Sequence, residues 1–254
     1  MYILKMTKYI LILILLAVIT VLIFYNQYKY DYGIVILCHN RPEFLKKTLN
    51  SLRNSNLSNT LICIIDDSST NTETINLVKN FSLTKNKIIK HTNKSNLGID
   101  RSLQIGFDLL YPYCKFMLNI DSDVIVKKNW LQKLKSTYYT SRYTTLSKVI
   151  VTGFNCTSSC LHKIIKSYNT FHHKKSIGGI NMFFHRSLYH TFFRKILTNR
   201  NKQRTKIRGW DWDIVNEATK KNILLIATNP SVVQHIGITG INSSKKHCDI
   251  AEDF

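Results

Sequence analysis

The chain has few residues of the kinds that mark disordered, fibrous or disulfide-stapled proteins. Its 254 residues include only 3 prolines and 9 glycines, which excludes a collagen-like or low-complexity chain. Six cysteines are too few for a disulfide scaffold in a domain of this size. A disulfide between Cys156 and Cys160, plain thiols, and zinc ligation with nearby histidines remain alternatives. With 44% hydrophobic residues, the chain is expected to fold around a real core.

Acidic side chains are also scarce. The 36 Lys and Arg residues outnumber the 15 Asp and Glu residues and leave a formal net charge of +21. This excess predicts an anionic partner such as a nucleic acid, a lipid head group or a nucleotide diphosphate. No nucleic-acid-binding motif is recognisable, and the basic residues are spread along the chain, so a nucleic-acid partner is not expected. The turn after Cys38 is His-Asn-Arg-Pro and lacks the glycine fingerprint of a dehydrogenase-like Rossmann domain.

One long apolar run stands near the start of the chain. Residues 9–25 (YILILILLAVITVLIFY) carry no charge and approach the ~20 residues that cross a bilayer core. They predict a transmembrane anchor behind a tail of residues 1–8, in preference to a cleaved signal peptide, because no small-residue cleavage site follows. Lys5 and Lys8 favour a cytoplasmic N-terminus. We expect a single-pass type II membrane protein, facing the Golgi or ER lumen if eukaryotic or viral and the cytoplasm if bacterial.

Beyond the predicted anchor, residues 26–32 form a predicted short stalk and residues 33–254 one α/β domain. Short apolar runs alternate with longer amphipathic ones, which predicts parallel strands joined by crossover helices. Strands are predicted at 33–38, 60–66, 87–91, 115–121, 149–154, 180–184 and 223–228. Helices are predicted from 42 to about 53, at 72–81, after Gly98, at 186–193 and at 211–221. Asn40 is predicted to cap the first of these helices.

Two acidic clusters follow predicted strands. Asp66 and Asp67 end one buried strand, and Asp121-Ser122-Asp123 ends another. The carboxyl ends of parallel strands meet at the ligand-binding edge of such a sheet, so the clusters are expected to converge. In an extended chain Asp121 and Asp123 would lie on one side, where two carboxylates suit Mg²⁺ or Mn²⁺ shared with phosphates. Each motif alone is also compatible with a solvated turn.

Several segments in order carry a family resemblance. They are ILCHNRPEFLKKTLNSL at 36–52, IIDDSS at 64–69, Asn-Leu-Gly at 96–98 and NIDSDVIVKKNWLQKL at 119–134. Together they resemble the GT-A fold glycosyltransferases, especially the inverting family-two-like enzymes and the related N-acetylglucosaminyltransferases. The resemblance covers nearly all of the chain after residue 32. It implies a Rossmann-like nucleotide-diphospho-sugar transferase that moves a sugar from a UDP-sugar to a glycan, glycoprotein or glycolipid hydroxyl. Inversion is expected; a retaining enzyme and an inactive glycan- or nucleotide-binding homologue are the alternatives.

The same resemblance assigns roles to individual residues. Asp123, Asp121 directly or through water, and the late His235 would hold Mn²⁺ or Mg²⁺. Asp66 or Asp67 would hold the ribose or uracil, and Arg101 would support the nucleotide. Independently of the resemblance, Gly178-Gly179 predicts either a close approach of the backbone to a sugar, at Gly179, or a simple turn. The residues expected at the nucleotide sugar are Asn40, Arg41, Asp66, Asp67, Arg101, Asp121, Ser122 and Gly179.

The segment Gly209-Trp210-Asp211-Trp212-Asp213 resembles the acidic motif whose carboxylate deprotonates the acceptor hydroxyl. Asp211 is the preferred general base and Asp213 the second choice, although an acid at a helix start is also a favourable cap. The flanking tryptophans suggest a sugar-stacking wall. The preceding run 194–208 has seven basic residues and no acid, which predicts a solvated face or a mobile loop that folds over an anionic ligand.

Overall fold

The computed structural model describes residues 9–16, 28–156, 162–202, 209–237 and 250–254. The strands are β1 Tyr30–Cys38, β2 Thr60–Asp66, β3 Lys87–Thr92, β4 Cys114–Asp121, β5 Val124–Val126, β6 Val149–Thr152, β7 Ile164–Ser167, β8 Phe171–Lys174, β9 Asn181–His185, β10 Leu224–Thr228 and β11 Val233–His235. The helices are α1 at residues 9–16, α2 Pro42–Arg53, α3 Thr72–Asn80, α4 Ile99–Leu110, α5 Trp130–Thr145, α6 Arg186–Leu188, α7 Arg194–Lys202 and α8 Trp210–Lys220, with a π-helical turn Tyr189–Phe193 between α6 and α7.

The first half of the chain builds the parallel part of one sheet. Strand β1 pairs in parallel with β2 on one side and β4 on the other, and β2 pairs in parallel with β3. Strand β2 is buried along its whole length, as expected of a strand covered on both faces. Helices α2, α3 and α4 connect these strands in turn. The predicted Rossmann-like α/β domain is confirmed.

The second half makes the sheet mixed rather than parallel. The strand order is β3-β2-β1-β4-β9-β6-β10-β8-β7, and a separate two-stranded ribbon joins β11 to β5. Strand β9 runs antiparallel to both β4 and β6, and β8 runs antiparallel to β10. The expected parallel arrangement holds for β1 to β4 and for the β6–β10 pair, but not for β8 and β9. An apolar run marks a strand without giving its direction, so the sequence could not distinguish these strands.

Two hydrophobic clusters cover the two faces of the sheet. The cluster beneath α2 and α5 includes Phe116 and Phe183, whose ring centroids are 4.9 Å apart, and the fully buried Trp130. The cluster beneath α4, α7 and α8 includes Phe107 and Phe184, with centroids 5.5 Å apart. Helices therefore cover both faces of the sheet, and a ligand could reach it only at its edges or at the ends of its strands.

The predicted membrane anchor and single-pass localisation are contradicted. No helix in the described parts of the chain is long and apolar enough to cross a membrane. The described part of the predicted anchor is helix α1 at residues 9–16. Residues 1–8 and 17–27 lie outside the described residues. Part of the predicted stalk belongs to the sheet, because β1 begins at Tyr30 and the Tyr30 amide donates to the Tyr113 carbonyl at 3.0 Å.

The structure also bears on the basic run 194–208 and on Cys156. The start of the basic run is helix α7 rather than loop, and Arg200 within it is buried; residues 203–208 lie outside the described residues. Cys156 is buried, and its predicted partner Cys160 is outside the described residues, so their pairing stays a prediction.

Candidate active site

The candidate site lies at the carboxyl ends of β1, β2 and β4. The loop after β1 adopts left-handed backbone at Asn40 and Arg41, with φ of 54° and 58°. Asn40 does not cap α2, because Arg41 holds the cap position and makes no side-chain cap bond. The Asn40 side-chain oxygen instead accepts the Thr70 and Asn71 amides at 3.0 and 2.9 Å. Asn40 therefore joins the loops that follow β1 and β2.

The carboxylates of Asp66 and Asp67, at the end of β2, accept hydrogen bonds from neighbouring loops of the protein. Asp67 Oδ1 accepts the Asn93 side-chain amide at 2.7 Å and the Leu97 backbone amide at 2.8 Å. Its Oδ2 accepts the Gly98 amide at 2.8 Å, and Gly98 starts α4 with φ of 79°. Asp66, 1% exposed, accepts the Ser69 amide at 3.0 Å. The structure thus places both carboxylates as organisers of the loops around the pocket.

The acidic segment after β4 is a turn rather than an extended chain. Strand β4 ends at Asp121 and β5 begins at Val124, so the predicted alternation does not apply to Asp121 and Asp123. Thr48 of α2 fixes the turn: its hydroxyl donates to the Ser122 carbonyl at 2.8 Å and accepts the Val124 amide at 3.1 Å. Ser122 contributes its backbone to this contact. The sequence analysis did not single out Thr48, whose polar side chain on the buried face of α2 was the available signal.

Asp123 is the centre of a compact charged cluster. Arg41 Nη1 donates to Asp123 Oδ2 at 2.9 Å, and His235 Nε2 lies 3.6 Å from the same oxygen. The Arg41 guanidinium also lies 4.5 Å from the Phe44 ring centroid. A side chain at Gly237 would collide with Asp123 and His235. The structure brings Arg41, Asp123 and His235 together across more than 190 residues of chain.

Burial and like charges shift the carboxyl pKa values in this cluster. Burial, and then the Asp123 carboxylate, raise the pKa of Asp121 to about 8, with a further contribution from Asp211. The pKa of Asp123 falls below its usual value, because the His235 and Arg41 contacts outweigh its burial. Asp121 is therefore the carboxyl group of this cluster whose charged form is most disfavoured, by burial, by Asp123 and by Asp211.

Asp211 lies in the first turn of α8, after Gly209 at the cap position. Burial raises its pKa, while hydrogen bonds from the Trp212 and Gly179 backbone and the nearby His162 act in the opposite direction. A side chain at Gly179 would meet Trp210 and Asp211 at 3.0 and 3.2 Å. Gly179 thus allows close approach to Asp211 and its helix.

Two buried asparagines set the position of Gly179, and the sequence analysis missed both. Asn119 in β4 donates to the Gly179 carbonyl at 2.6 Å and accepts the Met182 amide at 3.1 Å. Asn181 in β9 donates to the Asn119 carbonyl at 3.0 Å. Both are fully buried, and a polar residue inside an apolar strand was the signal for Asn119.

The remaining predicted residues lie elsewhere. Asp213 is ion-paired with Arg200, so the structure separates the two candidate bases. Arg101 is exposed and donates to Gln104 at 3.1 Å. Trp210 is buried in the core and does not form a sugar-facing wall, whereas Trp212 stacks on His162 with ring centroids 6.2 Å apart.

The donor atoms near Asp123 are of the kinds that Mn²⁺ and Mg²⁺ bind, namely carboxylate oxygens and an imidazole nitrogen. Their fit is chemical: Asp121 and Asp123 are neighbouring carboxyl groups, and the pKa of Asp121 is raised to about 8 by burial and by Asp123. A divalent cation beside them would favour the ionised form of Asp121. Within the described ranges, no group of three or more His, Cys, Asp or Glu side chains is already arranged around a metal position.

Comparison with known proteins gives relatives and structural neighbours. An uncharacterized glycosyltransferase of Haemophilus influenzae is 28% identical over 102 residues, covering 40% of this chain and 31% of that protein. TarS of S. aureus has 13% identity and a TM-score of 0.56, covering 82% of this chain and 61% of TarS; its complex with UDP-GlcNAc gives 12% and 0.57, with 84% and 62% covered. GalNAc-T7, solved with UDP, GalNAc and Mn²⁺, has 14% identity and a TM-score of 0.59, covering 81% and 43%.

The chain spans about a third of the H. influenzae relative and less than two thirds of these structural neighbours. The neighbours support the GT-A fold. The family is set by the match to the sequence model described as Glycosyl transferase family 2, which covers residues 33–200. The chain belongs to Glycosyl transferase family 2.

Proposed function

We propose that the chain transfers a sugar from a nucleotide-diphosphate sugar to an acceptor hydroxyl, by single displacement with inversion. Family membership supports sugar transfer, and two structural neighbours were solved with UDP or UDP-GlcNAc, which favours a UDP-sugar donor. A glycan, glycoprotein or glycolipid is the proposed acceptor. The observation that carries the proposal is that one segment joins the two acidic sites: the Asp121 amide donates to the Ile180 carbonyl at 3.1 Å, and the neighbouring Gly179 lies against Asp211. This places a candidate base beside a candidate diphosphate site.

Asp211 is the proposed general base. Its carboxylate is held by backbone amides of Gly179 and Trp212, so its orientation is set before an acceptor arrives. Burial raises its pKa above that of an ordinary aspartate, which makes the carboxylate a stronger proton acceptor at neutral pH. It would take the acceptor hydroxyl proton as that oxygen attacks the anomeric carbon. Asp213 is the weaker candidate because Arg200 neutralises it.

Asp121, Asp123 and His235 are the residues that would hold Mn²⁺ or Mg²⁺. A bound divalent cation would stabilise the negative charge that develops on the departing diphosphate. Arg41 and the loops organised by Asn40 and Asp67 would bind and orient the nucleotide. The net charge of +21 favours the approach of an anionic donor.

The test is a donor screen with the purified chain. A panel of UDP-sugars is incubated with Mn²⁺, Mg²⁺ or EDTA, nucleotide release is measured, and the anomeric configuration of the product is read by NMR. We expect metal-dependent consumption of one donor and an inverted product. Equal turnover in EDTA would contradict the proposed metal dependence. A product with retained anomeric configuration would contradict the single-displacement mechanism. UDP binding in calorimetry without turnover of any donor would favour a binding protein.

A further inference from the structure

The buried side chain of Arg200 joins helices α4 and α8, both of which begin near the candidate site. Arg200 of α7 donates from Nε to Asp100 Oδ2 at 3.1 Å, and from Nη1 to Asp213 Oδ2. The Arg200 and Asp100 side chains are only 6% and 5% exposed, whereas that of Asp213 is 41% exposed. Asp100 stands in the first turn of α4 and Asp213 in the first turn of α8. One guanidinium therefore holds the N-terminal turns of two helices that are far apart in sequence.

Each of these helix starts is connected to the candidate site. Helix α4 follows Gly98, whose amide is bound by Asp67 at the end of β2. Helix α8 carries Asp211 in the same first turn as Asp213. A continuous polar path thus runs from the loop on the nucleotide side, through Arg200, to the turn that bears the proposed base.

The geometry of α8 separates the roles of its two aspartates. Residues two apart on a helix point about 200° away from each other. Asp213 accordingly pairs with Arg200 of α7, whereas Asp211 lies against Gly179, where an added side chain would meet the Asp211 Cβ at 3.2 Å. A contact that fixes Asp213 therefore also fixes the rotation of α8 that presents Asp211.

The charges show why an arginine with two carboxylates suits this position. Each helix start carries a partial positive charge of about half a unit, and a buried guanidinium alone would be repelled by both. Asp100 and Asp213 offset that repulsion and pair with the guanidinium at once. A lysine would present one compact ammonium, whereas the planar guanidinium fork can donate to two carboxylates in fixed directions.

We propose that Arg200 is a positioning residue that clamps the starts of α4 and α8 and so sets the place of the base Asp211 relative to the donor site. The inference rests on the proposed function, because it takes Asp211 as the base. It gives a role to part of the basic run 194–208 that the sequence analysis assigned to a solvated or mobile segment. The Arg194–Asp108 pair, with side chains 56% and 36% exposed, is the surface counterpart on the same helix.

Two variants test the clamp in the full-length chain. Asp213→Asn removes one arm without leaving a buried charge alone, and Arg200→Lys keeps the charge but loses the fork. We expect a kcat about tenfold lower in each, since small misplacements of a catalytic group are costly. The donor KM should change less than twofold, and the acid limb of the pH–rate profile should persist because Asp211 is intact. Arg194→Lys, the matched control, should leave kcat unchanged.

Hydrogen–deuterium exchange supplies a readout that does not depend on turnover. Amides in the first turn of α8 should exchange faster in Asp213→Asn and Arg200→Lys than in the parent chain or Arg194→Lys. Unchanged exchange would overturn the clamp, and faster exchange with an unchanged kcat would overturn its role in positioning the base. Abolished turnover in Asp213→Asn together with an active Asp211→Asn would make Asp213 the base and also overturn it. A parent chain that consumes no donor would sink the proposed function, while the exchange data would still decide whether Arg200 clamps the helices.

Discussion

Two pairs of aspartates lie at the same edge of the sheet and have opposite surroundings. The β2 pair, Asp66 and Asp67, accepts backbone and side-chain N–H groups that shape the adjoining loops. In the β4 pair, Asp121 and Asp123, burial and then the charge of Asp123 raise the pKa of Asp121 to about 8. One pair therefore stabilises the fold, whereas the other includes a carboxyl group whose charged form is disfavoured, at the place where a cationic cofactor and a phosphate would bind.

The largest expected effect concerns Asp211, the third carboxyl group of the candidate site, whose charge also acts on Asp121. Asp211→Asn should lower kcat about 10³-fold, or about 4 kcal/mol, because the amide cannot accept the acceptor proton. The pKa of Asp211 is raised by burial, so kcat/KM of the parent chain should fall as pH drops through a value above that of an ordinary aspartate. The variant should lack this limb. Asp31→Asn, which removes a surface pair with Lys135, is the control; an unchanged limb in Asp211→Asn would exclude Asp211 as the base.

The next effect concerns the β2 pair and is a loss of stability. In the parent chain the Leu97 and Gly98 backbone amides donate to the two carboxylate oxygens of Asp67. Asp67→Asn keeps the size of the side chain but replaces one of these oxygens by an NH₂ group, so that two donors face each other. A buried donor left without an acceptor, together with the lost charge-assisted bonds, should lower the free energy of unfolding by about 3 kcal/mol. Urea unfolding measures it, with Asp31→Asn again as the control. A loss below 1 kcal/mol would mean that the β2 pair does not support the fold in this way.

The difference between the two pairs could not be predicted from the sequence. Apolar runs predicted β1, β2 and β4, and the order of motifs predicted that both acidic pairs lie at one edge. The sequence did not show that both oxygens of Asp67 accept hydrogen bonds from the loop before α4, because the donating amides of Leu97 and Gly98 lie 30 residues or more away. The buried contacts of Thr48, Asn119 and Arg200 likewise depend on tertiary packing, which local periodicity does not encode.

The β4 pair should respond to neutralisation with the opposite sign. Asp121→Asn removes a carboxylate that burial and Asp123 disfavour in its charged form. The free energy of unfolding at neutral pH should therefore rise by about 1.5 kcal/mol while transfer activity falls, as is common where a site is strained for function. Urea unfolding in EDTA measures the change without a bound cation. Lower stability in this variant would show that the two acidic pairs are alike after all.

The smallest expected effect concerns the contact that holds the β4 pair in its turn. Thr48→Val replaces the fully buried hydroxyl by a methyl group and leaves the Ser122 carbonyl and the Val124 amide without their partner. The unfolding free energy should fall by about 1 kcal/mol, whereas Thr48→Ser, which keeps the hydroxyl, should lose less. Because the turn sets the spacing of Asp121 and Asp123, the Mn²⁺ affinity measured by calorimetry should fall in Thr48→Val and be retained in Thr48→Ser. Equal metal affinity in both would mean that the strand ends alone define the site, and that the α2 hydroxyl contributes only to stability.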